Sequence, residues 1–448
     1  MAPLSAIACP AVSGFPDDGG TTVIQDVAGP EAVPTPPDAA RPNRTKRLVG
    51  RFGLLGPAFV AAIAYVDPGN VAANLQAGSR YGYLLVWVLV VAVASAGVVQ
   101  FLSAKLGLAT GMSLPQLVGL RLGRGARLGY WLQAEAVAMA TDLAEVVGGA
   151  IALYLLFDLP LLLGGVIAGA VSLAVLAVQN KQGQRSFERV ITGFLVIIAV
   201  GFVAGLFVVP PAVQEVANGL IPRFAGMDSV LLAAAMLGAT VMPHAVYLHS
   251  ALTRDRFGRH EPGVVRRRLL TATRTDVVLA MVLAGSVNIA MLLVAAAGLR
   301  GKQGVDTIEG AHAAITSTLG PIVGTLFAVG LLASGLASAS VGSYAGSVVM
   351  EGLLQRRVPL VARRVITLVP ALVLLAIGAD PTSVLVVSQV VLSFGLPFVL
   401  IPLIRLTSDP AVMAVDANRP AMKVAGWTII VAIIALNAVL IISVVGGF

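Results

Sequence analysis

Eleven apolar runs, each near the length of a bilayer-spanning helix, decide what this 448-residue chain can become. They fall at residues 53–76, 82–104, 129–156, 160–179, 190–210, 227–250, 275–298, 319–349, 364–379, 383–404 and 424–446. At 1.5 Å of rise per residue, about 20 apolar residues cross a ~30 Å hydrocarbon core. The pattern therefore predicts an all-α polytopic membrane protein. Composition excludes the soluble alternative: 57% of residues are hydrophobic and only 12% are charged, too few to clothe a core of this size in water.

The +8 net charge would suggest a nucleic-acid partner if the basic residues formed one patch, but they lie in short segments between apolar runs. Counted by alternate segments, 26 of the 30 Lys and Arg fall on one side, and only Arg80, Arg223, Arg300 and Lys302 fall on the other. The positive-inside rule then places the N-terminus in the cytoplasm and, after an odd number of spans, Phe448 outside. A multi-pass protein of the plasma membrane in contact with lipid, and with no nucleic-acid partner, is expected. Residues 1–45 are rich in Pro, Gly and acidic side chains and have no apolar signal segment, which predicts a disordered cytoplasmic tail before a transmembrane domain over 46–448. Arg41, Arg44, Lys46, Arg47 and Arg51 form the basic flank of the first span. The single cysteine, Cys9, lies in the tail, so helix packing rather than disulfides must hold the fold.

Two spans five apart carry the same interruption. Span 1 reads Ala64-Tyr65-Val66-Asp67-Pro68-Gly69-Asn70, and span 6 reads Ala239-Thr240-Val241-Met242-Pro243-His244. Proline removes an amide donor and clashes with the preceding turn, so each helix should break and free carbonyls behind it. Inside a bilayer, such backbone must line a cavity or bind something. A copy displaced by five spans is necessarily inverted, the mark of a secondary transporter with two discontinuous helices at the midplane.

Asp67 is an ionisable residue in the middle of an apolar span, expensive there unless partnered. Asn70 can turn its amide oxygen to the same point. Met242 adds a thioether, a poor ligand for Ca²⁺ or Mg²⁺ but acceptable to softer first-row ions. Carbonyls freed at Ala64 and Ala239, and the amide of Gln389 in span 10, could complete a coordination shell. The mixed set points to Mn²⁺, Fe²⁺ or relatives as cargo, with no resident cofactor. In span 3, Glu135, Asp142 and Glu145 lie within about 80° of helical arc, on one face. They cannot all stay ionised in an apolar helix, so proton exchange is expected, with Arg363 and Arg364 of span 9 as partners; a static ion-pair network is the alternative. His244 and His249 are proton-carrier candidates, His244 equally a structural cap. His260 and His312 fall in expected loops.

Enzymatic templates are missing: there is no GxxxxGK[ST] phosphate loop, Gly-x-Ser-x-Gly elbow or CxxC clip. The small-residue stretches Val147-Gly148-Gly149-Ala150 and Ser343-Tyr344-Ala345-Gly346-Ser347 read as helix contacts. The seven basic residues between Arg254 and Arg274 read as a loop touching anionic lipid. The chain is not expected to be an enzyme.

From about residue 50 to its end the sequence resembles the natural resistance-associated macrophage protein (Nramp) family, which includes bacterial proton-dependent manganese transporters. The paired Asp67-Pro68-Gly69-Asn70 and Met242-Pro243-His244 carry the resemblance, supported by the run from Gln100 to Gly107 and by Tyr247-Leu248-His249-Ser250. It implies a LeuT-like fold: two inverted five-helix repeats, about 50–210 and 225–405, plus an eleventh helix at 424–446, with helices 1 and 6 broken. It implies metal ligands at Asp67, Asn70 and Met242 with a carbonyl of Ala64 or Ala239, and Gln389 joining in some conformations. Protons would pass by Asp67, Glu135, Asp142, Glu145, Arg363 and Arg364, with His244 and His249 linked to coupling. One departure is Ala245, where the family often has asparagine. The function implied is proton-coupled import of divalent transition metals by alternating access, with a monomer sufficient. A LeuT-like sodium/amino-acid symporter and a metal-sensing receptor or passive channel are the alternatives.

Overall fold

The computed structural model describes residues 56–302, 304–355 and 360–446, all within the unit Leu48–Phe448. The expected tail 1–45, Cys9 and the basic flank through Arg51 lie outside the described residues. Every regular element described is helical.

The first span is two helices. Gly56 and Pro57 start α1 (Pro57–Ala62), proline suiting a first turn whose amide is unpaired anyway. A single 3₁₀ turn, Ile63–Val66, follows, and Asp67 in extended conformation begins α2 (Pro68–Tyr81). Then come α3 (Val86–Thr110), α4 (Leu114–Arg121), α5 (Arg124–Phe157), α6 (Leu161–Gln182), α7 (Gln184–Val203) and two short helices, α8 (Gly205–Val208) and α9 (Val213–Asn218). The sixth span is again broken, into α10 (Met227–Thr240) and α11 (Pro243–Phe257). The chain continues through α12 (Val264–Gly298), α13 (Ile308–Leu319), α14 (Pro321–Leu354), α15 (Leu360–Ala376), α16 (Pro381–Ser408), α17 (Pro410–Met413) and α18 (Pro420–Gly446).

All eleven expected spans are thus helical, and among the described residues eight segments are long and apolar enough to cross a membrane. Expected boundaries were short where polar turns extend a helix: span 3 begins at Arg124 rather than 129, span 7 at Val264 rather than 275, and span 6 runs to Phe257 rather than 250. His312 is not in a loop but in α13, a helix outside the spans that starts at Thr307, whose hydroxyl accepts from Gly310 N.

The packing has the expected inversion. The second half of the first broken helix, α2, lies on α12, and the matching half of the other, α11, lies on α3. Likewise α5 contacts α16 as α14 contacts α7, and α6 contacts α14 as α15 contacts α5. Exchanging every helix with its counterpart five spans on reproduces these pairs, which is the contact pattern of two inverted five-helix repeats. Small residues let the central pair α5 and α14 approach: a Cβ on Gly335 would stand 2.9 Å from the Glu145 carbonyl and 3.0 Å from the Gly149 amide. This central contact sets the span 3 acids against α14.

Candidate metal centre

Both helix breaks follow from the same missing amide. In a continuous helix the Ala64 carbonyl would accept from residue 68 and the Ala239 carbonyl from residue 243, and both are prolines. The next carbonyls of the first break find side-chain donors: Tyr65 O accepts from Asn288 Nδ2 at 2.6 Å and Val66 O from Ser334 Oγ at 2.5 Å. Fixed from α12 and α14, the break is a built feature rather than a frayed end.

Asp67 caps α2, its carboxylate accepting from Asn70 N at 2.9 Å and Gly69 N at 3.3 Å. Its Oδ1 also accepts from Asn70 Nδ2 at 2.7 Å, and that nitrogen donates to the Ala239 carbonyl at 2.9 Å. The amide therefore bridges a buried carboxylate and the carbonyl freed by Pro243, joining the two breaks. Two such acceptors suit a cation equally, and rotating the amide would present Asn70 Oδ1 to it. Thr240 Oγ1 lies 3.4 Å from that oxygen and donates to the Met236 carbonyl at 2.7 Å. From α16, Gln389 Nε2 reaches Asp67 Oδ2 at 3.4 Å, while Gln389 Oε1 is buried without a hydrogen bond. Gly69 makes this approach possible, since a Cβ there would overlap the Gln389 carboxamide. Met242 and Ala64 are fully buried on the same two breaks, although no hydrogen bond ties them into the cluster among the described residues.

The structure thus gathers Asp67, Asn70, Ala239 and Gln389, with Met242 and Ala64 on the adjoining backbone. Among the described residues, no group of three or more His, Cys, Asp or Glu is placed to hold an ion. A cation between Asp67 and the Ala239 carbonyl would meet one carboxylate and otherwise neutral oxygen donors.

The acids of span 3 separate into two kinds. Arg363 Nη2 meets Glu135 Oε1 at 3.0 Å, and Arg364 Nη1 meets Asp142 Oδ1 at 2.7 Å while its Nη2 donates to Ser172 Oγ at 2.9 Å. Among the described residues Glu145 has no ion pair of its own; its carboxylate lies against Gly342, near the Ser338 hydroxyl, and within electrostatic reach of Asp142, Arg364 and Asp67. The arginines therefore partner two of the three acids. Glycine again makes room, as a Cβ on Gly346 would overlap the Arg363 guanidinium. His244 Nδ1 faces Thr141 Oγ1 at 3.4 Å, one residue before Asp142. His249 Nδ1 lies 2.5 Å from Gln100 Oε1, and Gln100 Nε2 donates to the Tyr65 hydroxyl, linking this histidine to the first break.

Sequence reasoning left Asn288, Ser334, Thr141 and Thr240 unassigned. Each is a neutral polar side chain in an apolar span; Asn288, which accepts from Asn74 Nδ2 at 2.8 Å as well as donating to Tyr65 O, gave the plainest signal.

Comparison with known proteins places this geometry in context. The family described as natural resistance-associated macrophage protein-like matches residues 58–443. The divalent metal cation transporter MntH of Mycobacterium tuberculosis is 61% identical over 410 residues, covering 92% of this chain and 96% of that protein. A manganese transporter of Eremococcus coleocola has a similar structure, with TM-score 0.81 and 30% identity over 92% of this chain and 90% of its own. MhsT, solved with L-phenylalanine, shares the fold alone: TM-score 0.59 at 17% identity, over 86% of this chain and 97% of its own.

Proposed function

Because the chain belongs to the Nramp family, we propose that it imports a divalent transition-metal ion, Mn²⁺ or Fe²⁺, with protons as the coupled ion. One observation carries the reading: across the two helix breaks, and within reach of Gln389, Asn70 bridges Asp67 to the carbonyl of Ala239, three residues before the buried Met242. The cargo replaces that hydrogen-bond bridge. Asp67 supplies charge, Asn70 and Gln389 supply amide oxygens, the freed carbonyls of Ala64 and Ala239 add backbone dipoles, and the Met242 thioether disfavours hard ions.

The elements that carry the proposed ligands support an alternating-access mechanism. Asp67 and Asn70 ride on α2, Ala239 on α10, Met242 at the start of α11 and Gln389 on α16, so rocking these elements against α5 and α14 would open the site to one side at a time. Protons released around Asp67 would pass to Glu145, the acid left without an arginine, and onward past Asp142 and Glu135, whose pairs with Arg364 and Arg363 hold the route. His244 and His249 flank it through Thr141 and Gln100. With the arginine-rich loops inward, the membrane potential adds about 2.3 kcal/mol per proton per 100 mV. The N-terminus would be cytoplasmic and the C-terminus extracytoplasmic, in the plasma membrane, and one chain holds all the ligands.

Uptake of Mn²⁺ into sealed liposomes holding a pH dye tests this. Saturable uptake with internal acidification, weakly inhibited by Ca²⁺, is expected. Uptake that needs sodium, or metal binding without accumulation against a gradient, would return the chain to its symporter or sensor alternatives.

A further inference from the structure

Away from the metal centre, an open groove of about 790 Å³ runs between α3 and α12 and is closed at one end by the 415–422 segment before and at the start of α18. Its residues on α3 recur at 93, 97, 101 and 105, and those on α12 at 270, 274, 278 and 282, one stripe on each of two antiparallel helices. The stripe from Val93 to Lys105 is about 18 Å long at 1.5 Å per residue, close to one leaflet of a ~30 Å hydrocarbon core. The far part is apolar and faces outward: Val278 and Val282 are 52% and 63% exposed on a span that is otherwise largely buried.

The closed end is cationic. Arg274 and Arg419 line it, both exposed and neither with a side-chain partner among the described residues. Lys105 beside them is spent on the Asp416 carbonyl at 3.0 Å and Asn418 Oδ1 at 2.5 Å. The one carboxylate there, Asp416, is already paired with Arg266 at 2.5 Å. Two free guanidiniums thus stand at one end of an apolar channel, just before the apolar run 275–298 of α12 begins. The channel is open beside Gly97, where an added Cβ would meet only Met281 Cγ, at 3.7 Å.

We propose that this groove is a binding site for one anionic phospholipid, its phosphate held by Arg274 and Arg419 and one acyl chain laid between α3 and α12. A basic pocket between helices at the arginine-rich end of a membrane protein fits such a headgroup, and guanidinium forks match phosphate oxygens in pairs. The site bears on the transporter because α3 and α12 are the helices on which α11 and α2 pack, so a lipid wedged between them braces both broken helices.

Native mass spectrometry of the full chain in neutral detergent, titrated with phosphatidylglycerol or phosphatidylcholine of identical chains, tests it. The wild type should retain one phosphatidylglycerol in clear preference to phosphatidylcholine. Arg274→Gln with Arg419→Gln should weaken retention about 30-fold, at roughly fivefold per basic residue. Gly97→Leu, which fills the channel without touching the charges, should weaken it too. Arg267→Gln with Arg268→Gln, an equal charge loss outside the groove, should not. Equal retention by the wild type and the Arg274/Arg419 variant, or equal loss in the Arg267/Arg268 control, would overturn the site. Full retention by Gly97→Leu, or displacement of the lipid by free glycerophosphate, would overturn the acyl channel and leave only a phosphate contact.

Discussion

Replacing Arg364 by leucine should be among the most damaging changes in the bundle, and its size can be worked from the contacts. The guanidinium is 2.7 Å from Asp142 Oδ1 and 2.9 Å from Ser172 Oγ, and the side chains of the ion pair are each 1% exposed. Removing the cation strands Asp142 in an apolar interior next to a second carboxylate, Glu145, which also loses the nearby Arg364 charge. Losing one member of a buried pair costs about 3–5 kcal/mol, a hundredfold or more in the unfolding equilibrium. Removing both charges, with Asp142→Leu added, should restore most of that loss, since neither member of this pair is then left stranded. Unfolding by titration with a denaturing detergent in mixed micelles gives the four free energies of the cycle. Coupling of at least ~2 kcal/mol is expected; additivity within about 0.5 kcal/mol would show that the two residues do not depend on each other and would refute the argument.

Other predictions address the helix breaks. Met242→Ala should lower the Mn²⁺ over Ca²⁺ preference by roughly tenfold while transport persists; competition uptake reads this, and an unchanged ratio would remove the thioether from the selectivity argument. Gly148→Ala would drive a Cβ into the rigid ring of Pro68, so α2 must shift at a cost of about 1–3 kcal/mol; detergent unfolding indistinguishable from wild type would contradict that packing. Asp276 accepts from Gly56 N at 3.0 Å and Ala58 N at 2.9 Å, capping α1 from α12. Asp276→Ala should release about 1–2 kcal/mol of capping and speed maleimide labelling of a cysteine placed at Phe59 in a Cys9→Ala background; equal rates would show that α1 is held elsewhere.

The fold was legible because its strongest determinants are local. Apolar runs of span length and two prolines five spans apart specify helices and breaks without knowledge of any contact, and Pro68 and Pro243 even identify which carbonyls, Ala64 and Ala239, lose their helical partner. The span 3 acids and the two arginines were legible for the same reason, since charge in an apolar span has to be matched. Which arginine meets which acid was not legible: one periodic face cannot tell Glu135 from Glu145, and the answer depends on where Gly342 and Gly346 of α14 leave room. Nor could the sequence pair Asn288 with the Tyr65 carbonyl or Ser334 with that of Val66, because these contacts join spans 223 and 268 residues apart. Helix ends were misplaced where arginines at 124, 127 and 266–268 extend a helix beyond its apolar run, and α13 was missed because its length and polarity are those of a connecting segment.

One transition-metal ion is expected to bridge the two helix breaks, and anomalous diffraction at the manganese edge would locate it. Crystals of the wild type and of Asp67→Asn, soaked in the same Mn²⁺ concentration, should differ in a single way. The wild type should show one strong peak in bonding contact with Asp67, Asn70 and the sulfur of Met242. The variant keeps an oxygen to cap α2 but loses the charge, and its peak should vanish. A wild-type peak elsewhere, or an equal peak in both proteins, would contradict the assignment of this centre.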